Sequence, residues 1–128
     1  MAAGTQIHRS LASAIALALQ AAWDDVEGNP ADYRSNLSAY ERSPLGRRAD
    51  GPSVGGAVGL FAELRFSHAV EWRLPVDLLG RLLSATFNGL VLSYLATGDS
   101  AGCRGVLDLL ADDLARHGVQ ARVHQSSN

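Results

Sequence analysis

The stretch from Pro75 to His117 carries apolar residues at helical spacing and predicts two long helices joined by a tight turn. In the first helix, apolar positions recur every three or four residues from Leu78 to Leu95. An amphipathic helix usually carries one apolar stripe, whereas here the apolar positions occupy more faces than a single core needs. One face can meet the chain's own core, so a second must meet another molecule, most simply a second copy of the chain.

Upstream of this hairpin the pattern predicts three more helices. The first runs from about Gln6 or Ser10 to Glu27, where Gly28 offers the left-handed residue that ends helices. Asn29-Pro30 is a typical start of the second helix, because Asn caps and Pro fits the first turn. That helix ends near Ser43-Pro44, since the residue before a proline avoids helical geometry.

The remaining boundaries follow from similar signals. Residues 45–56 form a loop rich in Gly, Pro and Arg, and helix three runs from about Val54 to Trp72. Pro75 opens helix four, Asp99 or Ser100 caps helix five, and helix five closes at Gly118.

The whole pattern predicts an all-α fold. We find no strand patterning, and we expect residues 119–128 to form a flexible tail. The pattern therefore predicts one helical domain over residues 1–128, which is a bundle of five to six helices.

The composition of the chain favours a single packed domain and argues against several classes of function. A chain of 128 residues with 47% hydrophobic residues suits one packed domain. The net charge of -2 and the lack of a basic run beyond Arg47-Arg48 argue against direct contact with nucleic acid. A single cysteine, Cys103, excludes an intrachain disulfide and favours a reducing, cytoplasmic setting. No run approaches the roughly twenty apolar residues of a membrane span.

Motifs for catalysis or cofactor binding are weak. The glycine-rich loop at residues 51–59 lacks the Lys-Ser/Thr pair of a phosphate-binding loop. Asp113 and His117 share a helix face, but a third metal ligand at a suitable spacing is missing. No nucleophile has an orienting partner nearby in the sequence. We therefore expect no enzyme activity, no metal site and no cofactor.

Aromatic residues of the first four helices are the candidates for a small-molecule pocket. His68 and Glu71 flank the apolar side of helix three, and a buried polar group among aromatic rings needs a partner, which a ligand can supply. Two alternatives stay open: His68 is partly exposed and bonded to water or Glu71, and the rings are ordinary core. The candidate ligand-binding residues are Trp23, Tyr40, Phe61, His68, Trp72 and Phe87.

Several segments match a known family in their order. Residues 26–30 lead to the pair Tyr40-Glu41, a Leu-rich segment at residues 82–90 leads to Thr97-Gly98-Asp99, and residues 106–111 read Val-Leu-Asp-Leu-Leu-Ala. Over most of residues 6 to 118 this order resembles the C-terminal regulatory domain of TetR-type transcriptional repressors.

The resemblance implies a bacterial, cytoplasmic transcription regulator. Its last two long helices would form a four-helix bundle with a second copy, and its upstream helices would enclose a small apolar or aromatic effector. The helix-turn-helix head that binds DNA in this family has no counterpart in the sequence, so DNA binding would need an attached head. The predicted dimer-interface residues are Leu79, Leu83, Thr86, Leu90, Tyr94, Val106, Leu107, Leu110 and Leu114.

A second interpretation uses the same apolar hairpin. In it the chain is a stand-alone helical interaction module that docks on a different protein and has no ligand pocket. The two interpretations differ in their response to small apolar molecules, because ligand binding to the native state raises the melting temperature.

Overall fold

A computed structural model describes residues 2–34 and 54–121 of the chain. This part is mostly helical, as the sequence predicts. Its elements in order are α1 (Ala2–Gly28), the start of α2 at residues 30–34, α3 (Val54–Ser67), β1 (Val70–Trp72), α4 (Val76–Thr97), α5 (Ser100–Ala115) and β2 (Gly118–Gln120).

The helices pack in two pairs around one core. α1 lies against α5, and α3 lies against α4. α1 supplies a single buried stripe because its core residues recur at helical spacing. The core side chains of α1 are Leu11, Ile15, Leu19, Trp23 and Val26.

The local signals at the starts of α4 and α5 are confirmed, whereas α5 ends at Ala115 instead of at the predicted Gly118, which belongs to β2. α4 starts directly after Pro75 with Asp77 in its first turn, where a carboxylate opposes the helix dipole. It ends at Gly98, whose φ of 75° is left-handed and whose N–H donates to the Tyr94 carbonyl at 2.7 Å. The Asp99 side chain caps α5 by accepting a hydrogen bond from the Gly102 N–H at 2.9 Å.

The predicted absence of strands is wrong. β1 and β2 form an antiparallel pair in which Val70 lies opposite Gln120 and Trp72 lies opposite Gly118. Helix three consequently ends at Ser67 instead of Trp72. The chain leaves the helix at Ala69, whose φ of 50° is left-handed, and turns into β1.

The two strands also correct the predicted tail. Val119 and Gln120 belong to β2, and the Ala121 N–H extends the pairing by donating to the Ala69 carbonyl at 2.8 Å. α1 is longer than predicted, because it begins at Ala2. The predicted end of helix two, most of the 45–56 loop and residues 122–128 lie outside the described residues.

Candidate functional site

One group of predicted pocket residues is a packed aromatic cluster. The Trp23 ring on α1 meets the Phe87 ring on α4 edge to face, with centroids 5.7 Å apart, and it meets the Tyr94 ring in the same way at 5.5 Å. The indole Nε1 of Trp23 donates to the Ser100 hydroxyl at 3.0 Å. Trp23 and Phe87 are fully buried, so their rings and the indole N–H are satisfied by the chain itself.

A second pair of predicted pocket residues lies between α3 and β1. The Phe61 and Trp72 rings meet edge to face with centroids 5.0 Å apart. The Trp72 Nε1 donates to the Phe61 carbonyl at 2.9 Å. Among residues 2–34 and 54–121, no ring contact joins this pair to the Trp23 cluster. The predicted residues thus form two groups instead of converging on one another.

Of the remaining two pocket candidates, the described residues include only His68. His68 is half-buried, and its Nδ1 lies 3.0 Å from the hydroxyl of the neighbouring Ser67. Glu71, its predicted companion, is exposed on β1. Tyr40 lies outside the described residues. The alternative that these aromatic side chains are core agrees better with the observed packing than an open pocket does.

Most residues predicted for the dimer interface lie inside the chain's own core or at its edge. Five of the predicted leucines are buried within the chain, in which α4 packs on α3 and α5 packs on α1. Leu90 and Tyr94 are half-buried against the same core, and Thr86 is half-buried. Val106 is the interface candidate that remains exposed. The five buried leucines are Leu79, Leu83, Leu107, Leu110 and Leu114.

The face of α4 opposite to its buried face carries a different apolar row. Leu82 is 42% exposed and Leu92 is 48% exposed, and small side chains lie between them. An exposed apolar row on one face of a helix is a candidate interaction surface. We call this row the outer stripe; its members, all exposed, are Leu78, Leu82, Ala85, Gly89, Leu92 and Ala96.

Other exposed apolar side chains are spread over the surface. Val106 and Leu109 project from α5, and Phe66 projects from the last turn of α3. Leu17 is 74% exposed on α1, where its helical neighbours Ser13 and Ala21 are also exposed. Scattered single leucines are ordinary at a protein surface, so Leu17 is a useful reference for the outer stripe.

A polar network joins α1 to α5, and sequence reasoning missed it. Arg104 on α5 donates to Asp24 at 2.6 Å and to Glu27 at 2.7 Å, both on α1. The Ser100 hydroxyl also donates to Glu27. Hydrogen bonds from Arg104 and Ser100 lower the pKa of Glu27. Polar residues four or three apart along α1, Gln20, Asp24 and Glu27, were the available signal.

A smaller charged group ties the start of α1 to the end of α5. The Asp112 carboxylate lies 2.8 Å from His8 Nε2 and accepts from Arg116 at 2.9 Å. The hydrogen bonds from His8 and Arg116 lower the pKa of Asp112. Both groups are partly exposed, and both join α1 to α5.

The chemistry available to the described residues is limited. Within residues 2–34 and 54–121, no group of three or more His, Cys, Asp or Glu side chains is placed to hold a metal ion. Cys103 is buried, and burial raises the pKa of its thiol, which disfavours the reactive thiolate.

α4 also meets the length and composition of a membrane-spanning helix. Polar residues such as Ser84 and Asn88 interrupt its apolar run, so the run length alone predicts no membrane span. The core helix of a soluble protein passes the same test, and one third of the apolar window is buried here. The buried face of α4 packs on α3, and the outer stripe faces away.

Comparisons with known proteins identify no relative. No family model matches the sequence, no curated protein matches it, and no solved structure matches the fold.

Proposed function

We propose that this chain is the dimerisation and effector-sensing domain of a TetR-like transcriptional regulator. The observation that carries the dimerisation part is the outer stripe, an exposed apolar face on a helix whose opposite face is already buried. Covering such a face removes apolar area from water, which stabilises association by about 25 cal/mol per Å² before the costs of association.

The sensing part is supported by the order of the helices and by the resemblance to the TetR regulatory domain. The effector would be a small apolar or aromatic molecule, and it would act on DNA only through an attached head. It can change the arrangement of the two protomers only if it binds one arrangement more tightly than the other.

A second candidate function is a stand-alone interaction module without a pocket. The packing of the aromatic residues favours it, because Trp23 and Trp72 both have their rings and indole N–H groups satisfied within the chain. Both candidates require the outer stripe to be covered by a protein, and they differ in whether a small molecule binds.

Substitutions in the outer stripe test the dimerisation part. We expect Leu82→Arg and Leu92→Arg to convert the dimer into a folded monomer, because both side chains point away from the core. Leu17→Arg is the matched control, since it adds the same charge at a more exposed leucine on α1. Sedimentation velocity gives the mass, and far-UV circular dichroism confirms the fold. Unchanged sedimentation of both stripe variants would contradict the proposal.

Ligand screening tests the sensing part. We expect at least one member of a panel of apolar and aromatic metabolites to raise the melting temperature, and to raise it further, with the logarithm of its concentration, above its Kd. Leu17→Arg should respond as the wild type does. A panel without any shift rejects effector sensing by this chain and leaves the interaction module.

A further inference from the structure

We draw no further inference here: the strongest candidate, the outer stripe on the exposed apolar face of α4, carries none because nothing in the structure shows what covers it.

Discussion

The guanidinium of Arg104 on α5 holds the carboxylate of Glu27 on α1, with Nη2 2.7 Å from Oε1. The same guanidinium reaches Asp24 at 2.6 Å and the Gln20 amide oxygen at 2.6 Å. One side chain of α5 therefore joins three successive polar positions of α1. This contact lies on the outside of the helix pair whose inner faces form much of the core.

We expect Arg104→Ala to lower the melting temperature by several degrees, because it leaves Asp24 and Glu27 close together without a cation. Arg104→Lys should recover only part of the loss, since an ammonium cannot present the two-pronged donor geometry of a guanidinium. Arg65→Ala is the control, because Arg65 is exposed on α3. Equal melting temperatures for all of these variants, measured by circular dichroism, would show that the network contributes nothing to stability.

The Arg104 network and the separate Asp112 group both predict a loss of stability in acid. The pKa values of Glu27 and Asp112 are lower in the folded chain, so folding favours their charged forms. Their contribution is present above the ordinary carboxyl pKa of about 4 and is lost as the pH falls through the lower folded values. Glu27→Gln removes one of the two carboxylates whose pKa is lowered. The melting temperature of this variant should therefore fall less than that of the wild type between about pH 5 and about pH 2.

Glu63→Gln is the control for that experiment, because it removes a carboxylate from an exposed position of α3. If Glu27→Gln and the wild type lose stability in parallel over the whole range, the Arg104 contact does not control the acid response.

Trp23 tests whether the aromatic cluster is core or pocket. Trp23→Phe keeps a ring beside Phe87 but loses the hydrogen bond to Ser100, so we expect a cost of about 1 kcal/mol in the free energy of unfolding. Trp23→Ala should cost about 3–5 kcal/mol because it leaves a cavity in the core. Urea unfolding at fixed protein concentration gives both values. A cost near zero for Trp23→Ala would indicate that its ring lines an empty pocket.

Two glycine-to-alanine substitutions should have opposite effects. A Cβ at Gly118 would lie 2.6 Å from Leu11 Cδ1 and 3.1 Å from Trp72 Cζ3, so Gly118→Ala must displace the contact between β2 and α1 and destabilise the chain. A Cβ at Gly59 on α3 meets nothing within 4 Å, and Gly59→Ala should stabilise by about 1 kcal/mol through helix propensity. Thermal melts should show a lower melting temperature for Gly118→Ala and a higher one for Gly59→Ala. A lower melting temperature for Gly59→Ala would contradict the packing described for α3.

Sequence signals that act locally predicted where α4 and α5 begin. Pro75 and Asp99 each act on their own turn of the chain, and the structure places each in the predicted role. The two strands could not be predicted in this way. Each has three residues, and its partner comes from a distant part of the chain, so the pairing that stabilises it leaves no local pattern.

The sequence also did not indicate which of the two apolar faces of α4 is buried. Leu78 and Leu82 lie on one face while Leu79 and Leu83 lie on another, so the leucines alone do not indicate which face is inside. The sequence interpretation assigned to the interface the face of α4 that the chain itself buries. A usable signal was side-chain size, because the buried face adds Phe87 and Val91 to its leucines while the outer stripe has Ala85 and Gly89.

The burial of one face of α4 also decides which substitutions can test dimerisation. Leu83 is buried in the chain's own core, so Leu83→Arg would unfold the protomer and give no information about association. Leu82 is the neighbouring position that is exposed. The candidate pocket could not be assigned from sequence for a similar reason, since aromatic residues at helical spacing suit a core and a pocket equally.

The most direct measurement of the central claim is the mass of the unmodified chain in solution. Sedimentation equilibrium over a range of protein concentrations, at neutral pH, should give twice the chain mass of 13.5 kDa and approach the single-chain value only on dilution. A mass of 13.5 kDa that persists to the highest concentration would show that the outer stripe of α4 is not covered by a second copy.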